Sequence, residues 1–491
     1  MRRFSILTIL GALTLSACAD DTTAPLPSPA PRSPSRSVGG AADVSDMYLV
    51  RFHGNGVPNG FAADVARLGG TVAFAHPIGL AAVAGLDEGR AAALSRVAGV
   101  AAVDADAYVT RDEPAGTELA VADVGIASPS NPATSFFFPR QWHLRAIGAN
   151  VAWAAGRLGS PSVRVGVLDT GIDYLHPDLN GRVDLNLSRS YLSAAENARV
   201  PAGAHPVADL HYHGTHVAAT IASNAIAAAG VTSGVTLVGL KVCVPGTPAN
   251  NFSSTCALSS TLFAVLDAAD MGLDVINISI GGAFQRVAAS ARGGFGPSVV
   301  ATLNRVFNYA NQKGTAIIVG AGNGSFDLGR NVVPVQGGTA KAPGLYGIYC
   351  DAPAAICVSA TGPTAQASVN GPWTNIDAFA PYSNFGRGAI DVAAPGGAAS
   401  AVWAACSGFT VYPPLAACRN RALTFVIGLI GTSMAAPHAA GVAALIAESV
   451  GHNPSQIEAI LQKTADDLGQ PGNDPAYGHG RINAARAVGL Q

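Results

Sequence analysis

The chain has 491 residues, which at about 150 residues per domain leaves room for roughly three domains. Apolar residues make up 49% and charged residues only 12%, a composition that buries a large core and excludes a mainly disordered chain. The formal net charge is −2, without the basic surplus that marks a nucleic-acid binder.

The amino terminus reads as an address. Arg2 and Arg3 precede an apolar stretch, residues 4–15, too short to span a bilayer. Residues 1–17 therefore predict a signal peptide. It ends in Leu15-Ser16-Ala17-Cys18, which resembles the lipobox of bacterial lipoproteins, where cleavage precedes a cysteine that then receives lipid. The resemblance implies an exported chain, anchored to the cell envelope through Cys18 or released after processing. Residues 18–45 carry Pro25, Pro27, Pro29, Pro31 and Pro34 with almost no large apolar side chain, the pattern of an extended, solvated linker.

Residues 46–111 predict a small α+β domain. A strand over 47–52 is followed by Phe61, Val65 and Leu68 at helical spacing, then by Gly69-Gly70, which ends that helix. Strands over 71–74 and 80–84, a helix over 88–97 and a strand over 100–103 complete a β-α-β-β-α-β order, that of a ferredoxin-like split unit. Residues 112–139, with Gly116, Pro129, Pro132 and Pro139, read as a loop suited to cleavage.

The remainder, residues 140–491, predicts an α/β domain on a parallel sheet. Near-continuous apolar runs over 163–168, 235–242, 274–280 and 315–319 are what strands buried on both faces look like. Chemistry in such sheets gathers at the carboxyl ends of the strands. The first run ends in Asp169-Thr170-Gly171-Ile172-Asp173. A histidine cluster follows, His211-Tyr212-His213-Gly214-Thr215-His216, leading into a small-residue helix. Near the carboxyl terminus Gly431-Thr432-Ser433-Met434-Ala435-Ala436-Pro437-His438 opens another helix. Alone, these segments suggest a turn or capping carboxylate, metal ligands at a spacing that fits no common zinc pattern, and a helix N-cap. Together they supply a nucleophilic hydroxyl, a base and an orienting carboxylate, the set that acyl transfer requires.

The three segments, in this order, resemble the signatures of subtilisin-like serine proteases, and the likeness covers residues 140–491. It implies Ser433 as nucleophile, His213 as general base and Asp169 as the carboxylate that orients it, with His211 and His216 in support. It further implies an oxyanion hole from Asn323, in Gly320-Ala321-Gly322-Asn323, and the backbone N–H of Ser433. Ser279, Ile280, Gly281 and Gly282 correspond to the substrate-lining strand, and residues 478–484 to the carboxyl-terminal signature. Residues 46–111 take the place of the inhibitory propeptide, an intramolecular partner alongside polypeptide substrates. Ala219 stands where the family usually has glycine.

The resemblance implies no cofactor for the chemistry and leaves a structural calcium open, with Asp178 of His176-Pro177-Asp178-Leu179 as the one candidate ligand. Of seven cysteines, lipidation of Cys18 leaves six: Cys243, Cys256, Cys350, Cys357, Cys406 and Cys418. They fall in three close pairs along the chain, an arrangement that oxidising conditions allow to form disulfides, with the connectivity open. Two rival readings keep the same residues: a peptide ligase or acyl transferase with an amine acceptor, and a non-catalytic binding lipoprotein on a decayed protease fold.

Overall fold

The computed structural model describes residues 44–111, 118–122, 128–246, 253–285 and 296–490. The signal segment, Cys18 and nearly all of the linker lie outside these residues, as do 112–117 and 123–127. Among the described residues no helix is long and apolar enough to cross a membrane.

The amino-terminal unit runs β1 (Val44–Phe52), α1 (Phe61–Arg67), β2 (Thr71–His76), β3 (Leu80–Ala84), α2 (Glu88–Leu94) and β4 (Val100–Arg111). Its strands lie in the order β2-β3-β1-β4, each pair antiparallel. One face buries Val50, Phe52, Ala81 and Val83 against Phe61, Val65 and Leu94 of the two helices, with the Phe52 and Phe61 rings edge to face at 4.8 Å. The Asp87 carboxylate caps α2 by accepting the Arg90 N–H at 2.8 Å.

β4 runs eight residues past the predicted strand end. Its last part pairs antiparallel with β10 (Ser254–Ala257), which in turn pairs with β9 (Cys243–Pro245). One six-stranded sheet therefore joins the amino-terminal unit to the larger body. Within the expected processing loop, residues 118–122 form a further strand, β5 (Glu118–Ala122).

The larger body is built on seven parallel strands: β6 (Arg164–Asp169), β7 (Arg189–Ser190), β8 (Thr236–Lys241), β11 (Val275–Ile278), β12 (Ala316–Gly320), β13 (Ala355–Thr361) and β14 (Val392–Pro395). They lie in the order β14-β13-β12-β11-β6-β8-β7. The alternation of strand side chains divides the core into two layers. Val165, Val167, Val275 and Ile318 face the layer that holds α3 (His213–Ile221) and α6 (Thr432–Val450). Leu168, Ile276, Ile278 and Ile317 face α4 (Leu258–Asp270) and α5 (Pro297–Gln312). A second, antiparallel sheet has the order β15-β16-β5, with β15 at Val402–Ala405 and β16 at Thr424–Leu429.

The six body cysteines pair locally: Cys243 with Cys256, Cys350 with Cys357, and Cys406 with Cys418. The first bond clips β9 to β10 across directly opposed residues.

Candidate active site

The residues expected to carry the chemistry lie at or just beyond element ends, at the carboxyl ends of the parallel strands or the first turns of two helices. Cys18 lies outside the described residues, and Asp178 lies in a turn. Asp169 is the last residue of β6, His213 the first of α3, and Ser433 the second of α6. Ser279 follows β11 directly, and Asn323 follows β12 by three residues. Helix α3 packs on α6, and both contact β6.

Small residues make this approach close. A Cβ at Gly214 would collide with the Gly171 carbonyl, so glycine in both motifs lets α3 start against the end of β6. A side chain at Gly431, where φ is +156°, would lie 3.3 Å from the Asn323 amide nitrogen. Ala219, the departure from the family pattern, is fully packed in the α3 layer.

Asp169 and His213 are both fully buried, and His213 Nδ1 lies 2.9 Å from Oδ1 and 3.0 Å from Oδ2 of that carboxylate. An acceptor-only carboxylate against one ring nitrogen places the proton on Nδ1 and leaves Nε2 as the lone-pair end. Oδ1 also accepts the Thr170 N–H at 2.7 Å, which fixes the carboxylate plane.

Ser433 is held by Ser279. Its hydroxyl is 3.3 Å from the Ser279 carbonyl, while the Ser279 hydroxyl donates to the Ser433 carbonyl at 2.8 Å. Asn277 Nδ2 in turn donates to the Ser279 hydroxyl at 2.9 Å. The Asn323 carboxamide oxygen accepts both the backbone N–H and the hydroxyl of Thr432 at 2.9 Å. With the oxygen tied to the first turn of α6, the amino group is the end left to donate, beside a helix N-terminus whose dipole favours negative charge.

Three supporting residues escaped the sequence reading. Asp209 is fully buried and collects four donors: the Thr170 hydroxyl, the His211 N–H, and the N–H and hydroxyl of Thr215. Burial pushes its carboxyl above the ordinary range, against the lowering effect of the Thr215 and Thr170 bonds. It ties the end of β6 to the first turn of α3. A carboxylate set in the apolar run Val207-Ala208-Asp209-Leu210 was its only signal. Asn384 accepts the N–H groups of Gly324 and Phe326 and donates to the Ala321 carbonyl, shaping the loop that presents Asn323. Thr432 does the same from α6. Of the flanking histidines, His211 stacks on Tyr212 at 4.1 Å, and His216 Nε2 donates to the Val402 carbonyl at 3.0 Å.

Asp178 does not fit a calcium ion. Its Oδ1 accepts the N–H groups of Ile226 and Ala227 at 2.8 and 2.9 Å, and its Oδ2 accepts that of Ala228 at 3.1 Å. Amide hydrogens fill the space that a cation would occupy, and calcium needs six to eight oxygens. Gln141 likewise bonds the Ala229 N–H and carbonyl, both at 2.9 Å. Among the described residues no cluster of three or more His, Cys, Asp or Glu could hold a metal ion.

The sequence profile described as the Subtilase family matches residues 160–480. Thermitase of Thermoactinomyces vulgaris is 29% identical over 364 residues, covering 74% of this chain and 99% of thermitase. Subtilisin Savinase of Lederbergia lenta is 30% identical over 353 residues, covering 71% of this chain and 98% of its own. In fold, the crystal structure of the epidermin leader peptide processing serine protease of Staphylococcus aureus superposes with a TM-score of 0.65 at 19% identity. That match covers 90% of this chain and 97% of the other.

Proposed function

The chain belongs to the subtilase family of serine endopeptidases, and from that premise we propose that Ser433, His213 and Asp169 form its catalytic triad. The observation that carries the assignment is the buried Asp169–His213 pair, with the proton held on Nδ1. A serine hydroxyl is a weak nucleophile at neutral pH, so His213 Nε2 takes its proton as Oγ attacks the peptide carbonyl. The carbonyl oxygen becomes an oxyanion, stabilised by the Asn323 amide and the Ser433 N–H. The protonated His213, stabilised by Asp169, returns its proton to the leaving amine, and an acyl-enzyme remains. Water then attacks by the same route and releases the new carboxylate.

Substrates are polypeptides bound in extended form along Ser279, Ile280, Gly281 and Gly282, through backbone hydrogen bonds that tolerate many sequences. A Cβ at Gly281 would meet Gly320 O and Gly322 N, so glycine keeps this wall close to the site.

The protease is made as an exported zymogen whose residues 46–111 inhibit it until self-cleavage in 112–139. Several contacts support this reading. β4 covers β10, and Asp106 accepts the Ser259 N–H and hydroxyl at 2.9 and 2.6 Å at the start of α4. His76 Nε2 lies 2.8 Å from Asp270 Oδ2. Arg305 donates to the carbonyls of Phe52 and Gly54. The signal segment, Cys18 and the three disulfides support export, with Cys18 as a membrane tether before processing.

Incubation with an unmodified protein substrate tests the reaction class. New amino termini are expected. Joined peptides would favour a ligase, and unchanged substrate a binding protein.

A further inference from the structure

The connection between β15 and β16 runs over residues 406–423, long for a pair of antiparallel strands, which roughly two to five residues usually join. The Cys406–Cys418 bond closes most of it into a ring. Its first half lies along the segment that leads into His213. The Ser407 hydroxyl donates to the Asp209 carbonyl at 2.7 Å, and the Val411 N–H to the Leu210 carbonyl at 2.9 Å. The Tyr412 ring stands edge-on to His211 at 5.0 Å. Three consecutive residues, 209, 210 and 211, are thus held by one loop. The same loop reaches the segment after Asp169: the Gly408 N–H and the Arg421 guanidinium donate to Asp173 Oδ2 at 2.7 and 2.6 Å. The Tyr412 hydroxyl donates to the Ser253 carbonyl at 2.8 Å, which fixes the far end of its ring.

We infer that Tyr412 is a positioning residue for the catalytic base: acting through His211, it holds His213 where Nε2 receives the Ser433 proton. This rests on the protease reading above. His211 is the link. Its ring is fully buried, stacked on Tyr212 at 4.1 Å and met by the Tyr412 edge. Its Nδ1 accepts the backbone N–H of His213 at 3.3 Å. That N–H belongs to the first residue of α3, where no preceding helical turn supplies an acceptor. Helix ends fray, so a base at the first position of a helix is held by its neighbours more than by the helix itself. The His211 ring angle sets where the chain turns into α3, and with it where the His213 imidazole stands against Asp169. The ring of Tyr412 is engaged by His211 and its hydroxyl by Ser253, so its effect falls on turnover rather than on substrate affinity. The disulfide keeps the loop that carries it closed.

The test compares processed wild type with three variants. Tyr412→Leu removes the ring edge from His211. Tyr412→Phe keeps that edge and loses only the bond to Ser253. Ser407→Ala releases the Asp209 carbonyl and leaves the ring in place. Steady-state kinetics on a peptide amide read kcat and KM separately. Tyr412→Leu is expected to lower kcat about 10- to 100-fold with KM unchanged, and to slow fluorophosphonate labelling by the same factor. Tyr412→Phe should restore kcat to near the wild-type value. Ser407→Ala should lower kcat by a smaller factor, again at constant KM. In the full-length Ser433→Ala form, the downfield proton resonance of His213 Nδ1 should move on adding Tyr412→Leu and stay on adding Tyr412→Phe. A residue that only stabilises the fold would lower Tm and leave that resonance in place. Unchanged kcat and an unmoved resonance in Tyr412→Leu would overturn the inference, and so would a change confined to KM. Should Tyr412→Leu fail to fold, an unaltered kcat in Ser407→Ala overturns it. Absence of hydrolysis and of labelling in wild type would overturn the protease reading itself, whereas an active wild type with indifferent variants removes only the role given to Tyr412.

Discussion

His213 Nδ1 sits between the two oxygens of Asp169, 2.9 Å from one and 3.0 Å from the other, with both side chains closed to solvent. The carboxylate cannot turn to another partner, because the Thr170 N–H holds Oδ1 and the four bonds of neighbouring Asp209 hold the loop. Asp169→Asn keeps this shape but sets an amide donor against Nδ1, favouring the tautomer with its proton on Nε2. Turnover is expected to fall about 10,000-fold with KM little changed, read by steady-state kinetics on a peptide amide.

Asn323→Ala removes one oxyanion donor and also the acceptor for Thr432. A loss of about 100- to 1,000-fold in kcat with KM nearly constant is expected. A pure KM effect would place Asn323 in substrate binding instead.

The three motif segments were legible because each is local: a few adjacent residues build a strand end or the first turn of a helix. The β-α-β-β-α-β order was legible for the same reason, from periodicity inside short windows. What sequence reading missed depends on distant partners. β4 extends past Val103 because Cys256 and its neighbours, about 150 residues downstream, complete its ladder. β5 exists because Val426 and its neighbours accept it. Residues 118–122 carry no turn signal of their own, and without β16 they read only as part of a loop. Asp209 showed itself as one carboxylate in an apolar run, and only the folded chain brings Thr170 and Thr215 to it. The cysteine pairing was open in sequence and closes locally in the fold.

Asp178 predicts independence from calcium at its site. Thermal unfolding of the Ser433→Ala form, chosen to prevent self-digestion, should give the same Tm with calcium or with a chelator. Asp178→Ala strands three buried N–H groups and should lower Tm by several degrees, a loss of roughly 3 kcal/mol or more. A Tm that falls on chelation in this form but not once Asp178→Ala is added would mean that oxygen ligands, not amide hydrogens, surround this carboxylate.

A chain of two imidazoles braces the nucleophile helix. His438 Nδ1 donates to the Met434 carbonyl at 2.7 Å, so in the neutral ring Nε2 accepts, and its partner at 2.7 Å is His143 Nδ1. His143 Nε2 then faces the Trp403 N–H at 3.4 Å. Every position is assigned with both rings neutral, and a proton on either breaks the chain. Burial lowers His438 from the ordinary 6.5 to about 4. Burial, then the His438 charge, holds His143 well below its ordinary value. Between pH 6.5 and about 4 the unfolded chain binds protons that the folded chain refuses, so stability falls as pH drops through that window. Tm of the Ser433→Ala form should decline steeply over it. Adding His143→Phe should lower the neutral-pH plateau and flatten the acid slope; an unchanged slope would remove His143 from this account.

The most direct measurement is covalent labelling of the processed protein with a fluorophosphonate, followed by mass mapping of the modified peptide. The account predicts one adduct, on Ser433 in the peptide spanning Thr432 and Met434, lost in Ser433→Ala together with self-processing and peptide hydrolysis. An adduct on another serine, or undiminished hydrolysis by Ser433→Ala, would contradict it.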